Sequence, residues 1–272
     1  MANYIKDYKI NKITNESVKK AISRVLNEGI DFAPNTKKVS YNPSHEDNVD
    51  TSIENNPTMD GNCAYTQVIS IKSSAPQDSR PLAIYVHGLA SGAAGTTFNL
   101  LARKLKQYRW ITSDFEENLE RNVATLNFLV EEYHPALIVG ISFGGVTVFY
   151  ANAPGATKIV CNPALSIADC VRNTIGLGQH DYFCERIDGL QKFELTEEMC
   201  VGYENYIAIH KPSLGKECYA VFSAHDELLG DEAASVTQQV VADAGYKVFS
   251  DPKGVHRITS STIKIIDKLV NK

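Results

Sequence analysis

A serine between glycines is the residue of this sequence with the clearest chemical meaning. Gly140-Ile141-Ser142-Phe143-Gly144 has the pattern G-x-S-x-G, and it lies between an apolar run at residues 136–141 and a helical stretch at residues 146–151. A sharp strand-to-helix turn holds such a serine in a strained conformation with its hydroxyl exposed. The flanking glycines leave room for the helix to pass close to the strand. The pattern therefore predicts that Ser142 is a nucleophile.

A serine hydroxyl needs a base that removes its proton, and the base needs an acid that fixes its tautomer. The chain has seven histidines, and His256 lies between the last predicted strand and the last predicted helix. Gly254 permits a tight turn just before it. Asp226 follows another predicted strand at residues 218–222. We therefore predict a triad in the chain order Ser142, Asp226, His256.

Two neighbouring residues compete for these roles. Glu227 is the nearest rival for the acid, but the shorter side chain of Asp226 lies nearer the strand end. His87 follows an apolar run and could act as a second base, although a hydrogen bond that stabilises its loop is favoured. His225 is predicted to be a structural loop residue.

Acyl transfer also requires hydrogen-bond donors for the oxyanion that develops during attack. One donor is expected from the backbone N–H of Phe143, which starts a helix whose dipole favours negative charge. The backbone N–H of Leu89, in the loop 87–92, is the candidate for the second. The alternative for this loop is an ordinary glycine-rich turn between a strand and a helix.

The elements that must position these residues alternate along the chain from residue 63 onward. Such alternation of apolar runs and amphipathic stretches predicts βαβ units and a mostly parallel central sheet with helices on both faces. The capping-box spacing of Ser113 and Glu116 marks the start of one helix, which carries a stripe at Leu119, Val123, Leu126 and Val130. Strands are predicted at residues 65–71, 82–86, 110–112, 136–141, 158–161, 218–222 and 246–249, and helices at 97–107, 231–244 and 258–270.

Composition excludes several other classes of protein. The chain has 272 residues, of which 43% are hydrophobic and 22% charged, so it can bury a core and is not disordered. Its net charge of −5 argues against nucleic acid as a partner. Six scattered cysteines without a C-x-x-C pair argue against zinc and disulfides. No phosphate-binding G-x-x-x-x-G-K-[ST] motif occurs, and no metal or organic cofactor is implied.

Residues 1–62 differ in character from the rest of the chain, and the first 64 residues are treated as one segment. They are expected to form a helix at residues 15–28 and an irregular extension at 33–62 that packs on the core. The first twenty residues lack the apolar core of a signal peptide, and no run of about 18 apolar residues occurs. We therefore expect a cytoplasmic protein without a membrane span. The sequence leaves the oligomeric state open.

Over about residues 65–272 the chain resembles the α/β-hydrolase superfamily, and within it the small YqiA-like bacterial esterases. The motifs that carry the resemblance are Val86-His87-Gly88, Gly140-Ile141-Ser142-Phe143-Gly144-Gly145, Cys161-Asn162-Pro163-Ala164-Leu165, Asp226-Glu227 and His256. The chain departs from these esterases in its long first segment and in the Gly254-Val255-His256-Arg257 turn. The resemblance implies an α/β-hydrolase fold and a serine esterase with nucleophile Ser142, acid Asp226 and base His256.

Residues 165–216 are at the usual position of a cap in this fold, so the resemblance implies a cap over the serine there. Most of the cap's aromatic side chains should pack it onto the domain, and one or two should reach the site. A cap would exclude water and shape the acyl pocket, and its shortness favours a small or modest acyl group. The aromatic and apolar residues concerned are Tyr182, Phe183, Phe193, Tyr203, Tyr206 and Ile207.

The predicted activity is that of a carboxylesterase-like serine hydrolase, acting through an acyl-enzyme on a small-molecule ester or thioester. Acyl transfer to an alcohol is a close variant that differs only in the second nucleophile. The alternative from another class is a catalytically silent binding or regulatory protein on a hydrolase scaffold, because a fold does not determine a function. All three triad residues are present in order, which favours the enzyme.

Overall fold

The computed structural model describes residues 49–55, 67–73, 79–93 and 95–271. The helix predicted at residues 15–28 and most of the irregular segment predicted at 33–62 lie outside these ranges. Within that segment, residues 49–55 form a strand instead of irregular chain. The packing of the rest of residues 1–64 on the core stays a prediction.

An eight-stranded sheet lies at the centre, and six of its strands run parallel, as the sequence predicts. Strands β1 (Val49–Asn55) and β2 (Gln67–Ser73) are antiparallel at one edge. The six parallel strands are β3 (Leu82–Val86), β4 (Arg109–Ser113), β5 (Leu137–Ile141), β6 (Thr157–Cys161), β9 (Glu217–His225) and β10 (Lys247–Val255). Their spatial order in the sheet is β4, β3, β5, β6, β9, β10.

Helices cover both faces of this sheet. Alternate residues of a strand point to opposite faces, so β3, β4, β5, β6 and β9 each contribute to two separate apolar clusters. Helices α1 (Thr96–Lys104) and α7 (Ser260–Val270) contribute to the cluster on one face. On the other face lie α2 (Leu119–Tyr133), α3 (Phe143–Tyr150) and α6 (Asp231–Asp243).

The chain between β6 and β9 forms the region predicted to be a cap. It contains the short helix α4 (Ile167–Cys170), a π-helical turn at Val171–Ile175 and the helix α5 (Glu197–Ile209). Between them, β7 (Gly178–Asp181) and β8 (Lys192–Leu195) make an antiparallel pair separate from the main sheet.

The predicted capping box at Ser113 and the predicted tight turn at Gly254 were both wrong. Ser113 is the last residue of β4 and does not cap α2; the N-cap is Asn118, whose side chain accepts the N–H of Arg121 at 3.0 Å. The last strand extends well beyond residue 249. Gly254 lies inside β10, where a β-carbon would come within 2.4 Å of Ser223 Oγ, so close approach and not a tight turn requires the glycine.

Candidate active site

Ser142 occupies the turn between β5 and α3 in a backbone conformation that non-glycine residues rarely adopt. Its φ is 54° and its ψ is −120°. The backbone N–H of Ser142 donates to the carbonyl of Cys161 at 3.0 Å, and its carbonyl accepts the N–H of Ala164 at 3.2 Å. The segment after β6 therefore holds this strained turn on both sides.

Gly140 and Gly144, the two glycines that flank Ser142 (the elbow glycines), allow backbones to cross at short distance. This confirms the prediction that they leave room for the helix to pass close to the strand. A β-carbon at Gly140 would lie 2.4 Å from the carbonyl oxygen of Gly144. One at Gly144 would lie 2.3 Å from the carbonyl oxygens of both Val86 and His87. These atoms belong to backbone and cannot swing away, so any side chain would push α3 off the sheet.

We expect Gly144→Ala to lower the free energy of unfolding by about 1–3 kcal/mol or more, because overpacked sites of this kind strain the backbone. Thermal unfolding followed by circular dichroism measures the effect. Gly155→Ala is the matched control, since no described heavy atom lies within 4 Å of the added carbon. Equal melting temperatures for the two variants would contradict the close crossing.

The structure brings His256 and Asp226 together at the carboxyl edge of the sheet. Nδ1 of His256 lies 2.9 Å from each carboxylate oxygen of Asp226, and both side chains are buried. Asp226 Oδ1 also accepts the backbone N–H groups of Leu228 and Leu229. Burial opposes ionisation of Asp226, but the hydrogen bonds from His256 and from these N–H groups outweigh it. The pKa of Asp226 therefore lies below its ordinary value.

Glu227, the rival acid, contacts the same histidine at a different atom. Its Oε2 accepts the backbone N–H of His256 at 2.9 Å, and this bond lowers the pKa of the exposed Glu227 carboxyl. The ring of His256 is thus held by Asp226, and its main chain by Glu227. His225 is the exposed last residue of β9, in register with Val255, and is not a loop residue.

The hydroxyl of Ser142 and Nε2 of His256 form no hydrogen bond with each other. Within the described residues neither atom has another hydrogen-bond partner, so both are available to a substrate. Apo enzymes often have long or poorly aligned catalytic hydrogen bonds that tighten when substrate is bound. The separation of the two groups is set by the turns that carry them.

Leu89 and Phe143 both lie beside the serine. Phe143 follows it directly, and the loop of Leu89 touches it: a β-carbon at Gly88 would lie 3.3 Å from Ser142 Cβ and 3.8 Å from Oγ. In the part of the chain that the structure describes, neither backbone N–H donates to a protein acceptor. Both are therefore free to donate to a developing oxyanion.

His87 stabilises the loop in its neutral form. The N–H of Phe115 donates to Nε2 at 2.9 Å, so the proton lies on Nδ1, which donates to the carbonyl of Gly88 at 2.8 Å. Burial, reinforced by the nearby Arg186, lowers the pKa of His87 to about 3. With Nε2 already occupied, His87 is a poor candidate for a second base, in line with the sequence-based expectation.

Arg186 anchors the insertion between β6 and β9 (the predicted cap) to the loops that follow β3 and β4. No pattern in the sequence indicated this role. Its side chain is only 1% exposed and pairs with Asp188 at 2.6 Å. The guanidinium also donates to the carbonyls of Ser91 and Phe115, each at 2.9 Å. It stacks on the ring of Tyr182 at 4.3 Å. No local pattern around Arg186 marks it, because all these partners but Asp188 and Tyr182 are distant in the chain.

The predicted packing of this insertion's aromatic residues onto the domain agrees with the contacts of Tyr203 and Tyr206. Tyr203 packs edge-on against Phe143, with ring centroids 5.3 Å apart, and Tyr206 packs against Tyr150 at 5.5 Å. Phe183 is the exception, since it is 78% exposed. Its backbone N–H donates to the carbonyl of Ala90 at 2.8 Å, so the main chain of Phe183 lies beside the loop that contains Leu89.

Glu117 is a mostly buried carboxyl beneath the same insertion. Tyr182 donates its hydroxyl proton to the Glu117 side chain at 2.9 Å, and Tyr203 donates to the Glu117 carbonyl. Burial raises the pKa of Glu117 to about 7, against the opposing effect of Arg186; the nearby Asp188 raises it further. The folded protein therefore holds a proton on Glu117 at pH values where an unfolded chain has lost it.

Because the pKa is raised in the folded state, this contribution to stability is fully present below about pH 4.5 and lost as the pH rises to about 7. We expect Glu117→Gln to remove that loss, so the variant gains stability relative to the wild type between pH 5 and 8. Urea unfolding at several pH values measures the difference. Glu132→Gln, an exposed carboxyl on α2, is the control; parallel curves for all three proteins would contradict the expectation.

The described ranges contain neither a cluster of metal-ligating side chains nor a membrane-spanning helix. No group of three or more His, Cys, Asp or Glu side chains there could hold a metal ion. None of the described helices combines the length and hydrophobicity needed to cross a bilayer.

Known structures share this architecture. A putative hydrolase from Agrobacterium vitis S4 has a TM-score of 0.55 at 14% identity, with 82% of this chain and 98% of that chain covered. Est1E from Butyrivibrio proteoclasticus has a TM-score of 0.53 at 13% identity, with coverages of 82% and 99%. Alpha/beta hydrolase domain-containing protein 10 from mouse has a TM-score of 0.50 at 13% identity, with coverages of 81% and 98%.

The fold is therefore that of the α/β-hydrolases, as the sequence predicts. Identities this low show the fold alone. No protein-family profile and no curated protein sequence matches the chain. The resemblance to YqiA-like esterases stays a prediction.

Proposed function

We propose that this protein is a serine hydrolase that cleaves a small-molecule carboxylic ester or thioester through an acyl-enzyme. The observation that carries the proposal is the buried pair of His256 and Asp226. Both carboxylate oxygens face Nδ1 at 2.9 Å, which leaves Nε2 of the same ring free to take a proton. A histidine held in this way suits general-base catalysis, because the acid fixes its tautomer and stabilises the imidazolium.

In the proposed reaction Ser142 Oγ attacks the acyl carbonyl carbon while its proton moves to Nε2 of His256. The N–H groups of Phe143 and Leu89 donate to the resulting oxyanion. When the tetrahedral intermediate collapses, His256 returns the proton to the departing alkoxide or thiolate. Water then attacks the acyl-enzyme in the same manner and releases the acid and the free serine.

A fluorophosphonate probe tests the proposal on the wild-type protein, with mass spectrometry of the labelled peptide. The expected result is one label on the peptide that contains Ser142, together with hydrolysis of nitrophenyl esters. Absence of both labelling and hydrolysis would overturn the proposed hydrolase activity and would favour a catalytically silent binding protein on this scaffold.

The same assay, with other substrates, distinguishes short from long acyl groups, esters from thioesters, and hydrolysis from acyl transfer. A series of short and long nitrophenyl esters measures the chain-length preference, for which the short insertion favours small or modest acyl groups. An acyl thioester, followed by release of free thiol, compares the two substrate classes. Addition of an alcohol acceptor measures acyl transfer, because a transferase would form the new ester in preference to the free acid.

A further inference from the structure

Asn162, the first residue after β6, is buried in an unusual backbone conformation. Its φ is 43°, in the left-handed region, and it is only 2% exposed. Asparagine tolerates this region better than most residues. It belongs to the Asn-Pro-Ala segment that the sequence singles out, and the proposed reaction assigns it no part.

The carboxamide of Asn162 joins the end of β9 to the turn that carries the base. Oδ1 accepts the backbone N–H of Ser223 at 2.8 Å. Nδ2 donates to the carbonyl of His256 at 2.9 Å and to the carbonyl of Val255 at 3.3 Å. The partners fix the orientation of the amide, because a flipped group would set its oxygen against two carbonyls.

The segment around Asn162 also holds the nucleophile. The carbonyl of Cys161 accepts the N–H of Ser142 at 3.0 Å, and the N–H of Ala164 donates to the carbonyl of Ser142 at 3.2 Å. Pro163 packs on the first turn of α3, where a β-carbon at Gly145 would lie 3.1 Å from Pro163 Cα. Residues 161–164 thus contact Ser142 through Cys161 and Ala164, and contact His256 through Asn162.

We propose that Asn162 is a positioning residue that sets the separation between Ser142 and His256. The inference rests on the proposed function of these two residues. Asp226 orients the ring of His256 and Glu227 holds its N–H, but both come from the loop after β9. Only the amide of Asn162, among the described contacts, ties the main chain of His256 to the segment that holds the serine.

This tie matters because Ser142 and His256 share no direct hydrogen bond in the free protein. Their separation depends on the backbone turns alone until substrate is bound. A displacement of about 1 Å in such a pair can cost about 10²-fold in rate. Removing the amide releases the His256 carbonyl and permits such a displacement without touching substrate.

The test begins with Asn162→Ala and a matched control, Asn122→Ala. Asn122 is equally buried at 2%, and its amide also pairs with backbone, accepting Glu116 N–H at 2.8 Å and donating to Glu116 O at 2.7 Å. We expect Asn162→Ala to lower kcat for a nitrophenyl ester by about 10–100-fold with little change in KM. A loss no greater than that of Asn122→Ala would overturn the inference.

A second comparison separates positioning from general damage. In a His256→Ala background there is no base to position, so Asn162→Ala should change the residual rate less than about threefold. The same loss in both backgrounds would overturn the inference. Asn162→Asp keeps the volume and the acceptor for Ser223 N–H but replaces the donor, so it should reproduce the kcat loss even if the alanine variant folds poorly.

The outcome that would overturn the proposed function differs from the outcome that would overturn the positioning role. It is overturned if Ser142→Ala and His256→Ala both retain full hydrolysis. A fully active Asn162→Ala beside an inactive Ser142→Ala overturns only the positioning role.

Discussion

Replacing Ser142 by alanine is expected to lower kcat for ester hydrolysis by about 10⁶-fold and to abolish fluorophosphonate labelling. The reason is that no other described hydroxyl lies at a strained strand-to-helix turn against the loop of Leu89. The substitution removes a single oxygen and keeps a β-carbon at the same backbone conformation, so the melting temperature should change little. Steady-state kinetics, probe labelling and thermal unfolding on the same preparation measure the three effects.

Ser235→Ala, an exposed serine on α6, is the matched control and should be labelled and active like the wild type. Labelling that persists in Ser142→Ala would show that another nucleophile reacts with the probe. Such a result would contradict the assignment of Ser142 directly.

Asp226→Asn is expected to lower kcat by about 10⁴-fold, and Glu227→Gln by about tenfold or less. An asparagine at position 226 can turn its amide N–H₂ toward Nδ1, which favours the wrong tautomer and removes the charge that stabilises the imidazolium. A glutamine at position 227 still offers a neutral oxygen to the N–H of His256. The different atoms that the two carboxylates contact thus predict very different losses.

Kinetics of both variants with one nitrophenyl ester make the comparison, and circular dichroism checks that each is folded. The reverse order of activities, with Glu227→Gln inactive and Asp226→Asn active, would reassign the acid. Equal and small losses would mean that neither carboxylate supports the base.

Local pattern in the sequence was enough to predict the six parallel strands and the helices that cover them, in chain order, but not β1 or the elements between β6 and β9. The six parallel strands, the elbow glycines and the sheet edge at which Ser142, Asp226 and His256 lie could all be predicted from short-range spacing. Such features are encoded locally, because strand periodicity and the need for glycine at a close crossing depend on a few neighbouring residues. Errors occurred where a local signal had competitors, as with Ser113 and Asn118 for the cap of α2.

The sequence alone determined the class of fold and the residues that a serine hydrolase would require. Only the tertiary structure decided which carboxylate faces the ring of His256, since Asp226 and Glu227 are adjacent and differ by one methylene. It also revealed the amide of Asn162 on the His256 carbonyl, across 94 residues of chain, and the guanidinium of Arg186 on Phe115, across 71. Contacts over such separations depend on how the strands are ordered in the sheet, and no local spacing records that order.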